Sequence, residues 1–183
     1  MRKLFKSQEL KFCMQELLII IISFLGLVIG SWLAFLTPEE FNSGRKYFIL
    51  LKKVILLLLV IIFLLPTFSL MYTVILFIIG ALATRFFRKV YFYLGLALAL
   101  SFFISLEFSL LTASLIFTFG LPHGTLNANK YLRDWRKIIK PLVFSLILFL
   151  LPTTALFFNF YVTDIAALIS GSMFMFFLLK DNV

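Results

Sequence analysis

From Leu17 to Leu36 the chain runs for twenty residues without a single charge, and apolar runs of similar character return several times before its end. At about 1.5 Å of rise per residue, roughly twenty helical residues cross the roughly 30 Å of hydrocarbon in a bilayer. Within lipid every backbone amide has to be bonded inside the protein, which leaves helices or closed barrels. Continuous apolar runs of this length select helices. Composition agrees: 63% of residues are hydrophobic and mean hydropathy is +1.12, against roughly 45–50% apolar in a typical globular protein. A soluble domain of this size keeps roughly 30% of its unfolded surface exposed, too much for so apolar a chain. The expected fold is all-α, a polytopic transmembrane bundle forming a single integral membrane domain over residues 1–183. The first run is too long for a signal peptide's core and has no small-x-small cleavage site after it, so it is read as a retained helix.

Charges and prolines divide the rest. The polar stretch from Thr37 to Lys53 holds Pro38, Glu39, Glu40, Arg45, Lys46, Lys52 and Lys53. The apolar run that follows reaches Thr84, too long for one helix, and Pro66 lacks an amide donor and breaks it. Helices are therefore expected near 48–65 and 67–84, ending before Arg85, Arg88 and Lys89. Val90 to Leu121 is again too long for one crossing and is divided near Ser105–Glu107 into two short helices. The basic segment Asn127–Lys140 precedes the last two, near 141–158 and 161–179, with Asn159 between them. The total is about seven. Within the first helix, Gly26 and Gly30 have the G-x-x-x-G spacing that lets another backbone approach closely.

The 17 basic residues and net charge of +9 lie almost wholly between apolar runs, where Lys and Arg orient a membrane protein and meet anionic headgroups. No nucleic-acid partner is expected. Seven helices with the N-terminus outside place 13 of the 17 basic residues in the cytoplasm, leaving out Arg2, Lys3, Lys6 and Lys11. Six helices, with the tail inside and 48–84 as one kinked span, score the same. A recurring pattern favours seven. Phe63-Leu-Leu-Pro-Thr67 returns as Phe149-Leu-Leu-Pro-Thr153, Pro38 aligns with Pro122, and Lys52-Lys53 with Arg136-Lys137. This suggests two parallel three-helix units, 17–89 and 106–180, joined by one linking helix, with both basic loops on one face.

Candidates for chemistry are few. One cysteine and one histidine cannot form an internal disulfide or a Cys/His zinc site; Cys13 is read as a buried thiol. Ionisable groups at membrane depth are functional hypotheses by default. Glu107, opening the fifth helix, and Asp164, a turn inside the seventh, qualify. Each also fits a headgroup-level residue or a lysine partner. His123 stands in Gly120-Leu-Pro-His-Gly-Thr-Leu-Asn127, where a helix is expected to end before the basic loop. A lone interfacial histidine is more often a structural group than a catalytic one. No nucleophile elbow or phosphate-binding glycine loop is present, so no catalytic residue, metal or cofactor is expected.

The stretch Leu115 to Asn127 resembles the G-[LI]-P-H-G-x-x-D segment of the Brp/Blh family, polytopic membrane proteins associated with oxidative cleavage of β-carotene. The basic loop and two apolar helices after it, with Ser172 near the end, are arranged similarly, so the resemblance spans about residues 113–180. It implies His123 and the Asn127 position as functional. Asn127 replaces the family's Asp, however. The family's iron is thought to need several histidines, and one imidazole cannot hold a non-haem iron that takes at least three protein ligands. The three-plus-one-plus-three layout is also similar to the PQ-loop sugar transporters, though Glu39 and His123 follow the prolines where that family often has Gln.

Three functions are compatible with these residues. The first is a non-enzymatic membrane component or accessory subunit in the plasma (cell inner) membrane, meeting lipid headgroups and other membrane proteins. The second is a small transporter, with Thr153, Thr154, Asn159 and Asp164 lining a cavity. The third is a diverged carotenoid- or lipid-modifying protein with His123 and Asn127 facing an apolar pocket.

Overall fold

In the computed structural model the backbone is described for residues 2–36, 38–65, 70–128, 135–157 and 162–179, and side chains for 14–36, 44–65, 73–128, 137–154 and 165–179. Among the described residues there are seven α-helices and no strand: α1 (Arg2–Leu36), α2 (Pro38–Leu64), α3 (Leu70–Phe86), α4 (Val90–Ile104), α5 (Leu106–Ala128), α6 (Trp135–Leu150) and α7 (Val162–Leu178). A 3-10 segment, Leu151–Phe157, follows α6. The all-helical bundle expected from the apolar runs is the fold observed.

Element boundaries differ from expectation in several places. α1 begins at Arg2, ahead of Leu17, and the helix expected over 141–158 gives way at Leu151 to the 3-10 segment. The polar stretch after Thr37 is helical from Pro38 onward, because proline suits the first helical position. α6 likewise starts at Trp135, inside the segment read as a basic loop. α5 does not end at Pro122 but continues to Ala128, as apolar helices packed on neighbours allow. The break at Ser105 falls where expected. Its backbone is extended (φ −167°, ψ 161°), and its hydroxyl accepts the Phe108 amide at 3.1 Å, an N-cap for α5. The reversal at Pro66-Thr67 lies outside the described residues.

Packing is dominated by two crossings, α1 on α5 and α3 on α7. Both pairs run parallel. Gly26 meets Phe117 and Gly30 meets Leu121, while Gly80 meets Leu168 and Thr84 reaches the Ser172 carbonyl. α2 packs on α7 and α5, with Phe63 edge-on to Phe108 at 5.4 Å. α4 is the short linking helix between the fifth and the third and sits against α5, α6 and α7. Tyr91, Tyr93, Leu94, Ala97, Leu98 and Ser101 along it are all buried, as a helix apolar on every side requires.

Burial is inverted relative to a water-soluble protein. Small hydroxyl residues are inside: Ser23, Ser31, Ser101, Ser109, Thr112, Ser170 and Ser172 are all buried. Large apolar ones are outside, with Leu17, Ile22, Trp32, Leu50, Ile78, Leu82 and Ile147 exposed. An exposed apolar surface of this extent is tolerated only where the solvent is itself apolar. Four helices, Met14–Leu36, Gly44–Leu64, Leu106–Ala128 and Lys137–Thr154, are long and apolar enough to cross a bilayer. The chain is a membrane protein.

Candidate functional site around His123

His123 lies in the last two turns of α5, between Pro122 and Gly124. Its ring stacks on Phe119 of the preceding turn (centroids 5.3 Å apart, planes 20°) and meets Tyr91 of α4 edge-on at 5.3 Å. Tyr91 in turn touches Phe119 at 6.4 Å and Phe24 of α1 at 6.2 Å, and Phe24 meets Phe149 of α6 at 5.7 Å. Rings from four helices thus converge here. Such pairs contribute about 0.5–1.5 kcal/mol each beyond area burial. The Tyr91 hydroxyl is buried without a hydrogen-bond partner among the described residues, so its ring, not its polar end, accounts for the position.

Asn127, one turn beyond His123, borders a cavity of about 30 Å³ shared with Ser31 of α1 and Ser145 of α6. At roughly 10–15 Å³ of accessible space per molecule, that is room for about two waters. Glu107 sits at the opposite end of α5 from His123, about 24 Å along the axis at 1.5 Å per residue. It occupies the first turn just after the Ser105 cap and is exposed, where a carboxylate favourably meets the helix's positive end. The side chain of Asp164 and all of Asn159 lie outside the described residues. The structure therefore brings His123 and Asn127 to one end of α5 and keeps Glu107 away from both.

The fit to a non-haem iron can be tested on these neighbours. Among the described residues no three His, Cys, Asp or Glu side chains come together. Of the two rings packed on His123, Phe119 has no donor atom and Tyr91 offers a single phenolic oxygen, short of the three protein ligands such an iron takes. The residues present do not fit the iron that the Brp/Blh resemblance implies.

Gly26 and Gly30, expected to pack a helix, do so against α5. A Cβ on Gly26 would stand 2.7 Å from the Phe117 carbonyl carbon. Gly120 and Gly124 answer from α5 with the same spacing, against Leu27 and Ser31. Thr125 Oγ1 lies 3.0 Å from the Gly30 carbonyl, placed to donate across the crossing. The α3–α7 crossing repeats the device: Ser172 Oγ donates to the Gly80 carbonyl at 2.8 Å. Tyr93 of α4 is buried, with its hydroxyl beside Thr84 and Ser172 at this crossing. This buried Thr84–Tyr93–Ser172 group was invisible in the sequence because its members are scattered over three helices. Only Ser172 had been singled out.

The basic helix ends gather at one end of the bundle. Lys53 of α2 lies over the Phe177 ring of α7 at 6.0 Å, and Lys89 over Phe144 of α6 at 5.2 Å. Lys52, one of the basic pair that carries the recurring pattern, is the one buried charged residue among the described residues. No family model, curated protein or solved structure matches the chain.

Proposed function

We propose that the chain is a non-enzymatic, multi-pass component of the plasma membrane, an accessory subunit that crosses the bilayer seven times. Its N-terminal tail is outside and its basic helix ends face the cytoplasm, where they meet anionic headgroups and leave the apolar flanks for other membrane proteins. The observation that carries this reading is the backbone-on-backbone contact at the two parallel crossings. A carrier of three-plus-one-plus-three layout needs a polar passage between its units, yet at α1–α5 and α3–α7 glycines meet opposing carbonyls with no room for a methyl group. Thr153 and Thr154, candidates for lining such a passage, donate instead to Leu150 and Leu151 carbonyls at 2.6 Å. The enzyme reading fares no better. The space facing His123 is taken by Phe119 and Tyr91, and the cavity beside Asn127 is too small for an apolar substrate. The likeness to the Brp/Blh segment then carries no cleavage chemistry over to this chain.

Cysteine accessibility tests this directly. Cys13 is replaced by Ser, and single cysteines are introduced at Ser31, Thr125 and Ser172, with Tyr47 as the exposed control. In intact membranes, a membrane-impermeant thiol reagent added from the cytoplasmic side should modify only the control, and added from the outside should modify none of the four. Rapid modification at Thr125 or Ser172 would reveal a water path between the units and replace the accessory role with transport.

A further inference from the structure

Where α3 ends and α7 ends beside it, Thr84, Arg85, Arg88, Met175 and Leu179 enclose a cavity of about 160 Å³. Two guanidinium-bearing residues stand on its α3 side and two apolar side chains on its α7 side. Arg85 and Arg88 are both exposed and have no ion-pair partner among the described residues. The hydroxyl of Thr84 is directed away from the cavity's ionic side, to the Gly80 and Ser172 carbonyls, so the positive charge comes from the arginines alone. Next to the lining residues in the chain, Leu82, Phe86 and Leu178 are 57%, 91% and 57% exposed, so apolar surface adjoins the two arginines along the same helix ends.

We propose that this cavity binds the phosphate of an anionic phospholipid, held by Arg85 and Arg88 while its acyl chains lie along Leu82 and Phe86. Arginine's planar fork matches phosphate oxygens two at a time, and Arg85 in the last turn of α3 and Arg88 just past its end both line the cavity. Arg85, in the last turn of α3, also complements the helix's C-terminal dipole. The inference rests on the membrane reading above, because it needs α3 to end at a headgroup layer.

Native mass spectrometry of the full chain released from nanodiscs reads the outcome. Discs hold phosphatidylglycerol and phosphatidylcholine of identical chains in equal amounts, and inorganic phosphate is added in a parallel arm. The intact chain should retain phosphatidylglycerol over phosphatidylcholine by about thirtyfold, as two juxtamembrane basic residues imply. Arg85→Gln with Arg88→Gln should bring the ratio near parity. Lys137→Gln with Lys140→Gln, which removes the same charge at α6, should leave it unchanged. Equal loss in both double variants would reduce the site to bulk charge and overturn the proposal. So would an unchanged ratio in the arginine variant, or displacement of the lipid by millimolar inorganic phosphate, which would assign the cavity to the free ion. Failure to enter nanodiscs at all would instead count against the membrane-component reading.

Discussion

A Cβ added at Gly171 would stand 2.7 Å from the carbonyl carbon of Phe77, and one at Gly30 would stand 2.8 Å from that of Leu121. Opposing backbone cannot give way as a side-chain tip can, so the helices would have to separate. Gly30→Leu or Gly171→Leu should therefore destabilise the bundle by at least the roughly 1–3 kcal/mol of an overpacked core, read as easier unfolding in mixed detergent micelles. Gly44 offers the contrast. Its added Cβ would touch only the Phe48 ring edge, at 3.4 Å, and Gly44→Ala should be neutral or gain up to about 1 kcal/mol from helix propensity. Thr125→Val removes the hydroxyl that reaches Gly30 while keeping the shape, and buried hydrogen bonds between membrane helices average only about 0.6 kcal/mol. Its effect should be small beside that of the glycines. At His123 the two readings separate cleanly. If the ring acts through Phe119 and Tyr91, His123→Phe should keep wild-type stability while His123→Ala loses about 0.5–1.5 kcal/mol. If imidazole chemistry matters, a host phenotype would be lost in both variants with stability intact in the first.

Helix limits show where sequence reasoning reached and where it stopped. Ser105 was legible as a break because a run of more than thirty apolar residues has to be divided somewhere, and serine, followed by Glu107, is the polar point in it. The structure adds the mechanism, a side-chain cap on the Phe108 amide. Ser105→Ala should cost about 1 kcal/mol and Ser105→Gly a few tenths, measured in the same unfolding assay. The starts of α2 and α6 were not legible, since lysines and arginines read as loop while in the structure they ride on helix ends beyond the apolar run. Long basic side chains can keep their stems on apolar surface and their charges in water. Pro122 misled for a related reason: proline ends helices in water, where freed carbonyls are quickly solvated, but a helix packed along its length by α1 has no such exit. The residues of the Thr84–Tyr93–Ser172 group could not be found at all, because nothing in a single helix's pattern tells which of many buried hydroxyls will meet.

At the scale of the molecule, chain direction decides what charge counting left tied. α1 and α5 pack in parallel, with Gly26, Gly30 and the Phe117–Gly124 stretch rising together; α3 and α7 do the same through Gly80, Thr84 and Ser172. For helices that alternate in direction, parallel packing of the first and fifth requires an odd number of helices between them, as α2, α3 and α4 supply. Merging 48–84 into one kinked span would make α1 and α5 antiparallel, contrary to the contacts. The same alternation carries Lys53, Arg85, Arg88 and Lys89 to one end of the bundle, as the cation–ring pairs with Phe177 and Phe144 require. Reporter fusions after residues 16 and 183 should then report opposite sides, the first outside and the second cytoplasmic. Shifting the balance sharpens the test. Replacing Arg85, Arg88 and Lys89 by Gln should lower the fraction of molecules with a cytoplasmic C-terminus, because those three charges would help hold that face inside, whereas neutralising Arg2, Lys3, Lys6 and Lys11 should raise it. Both termini in the cytoplasm of the unaltered chain would restore six crossings and leave the parallel α1–α5 contact without an explanation.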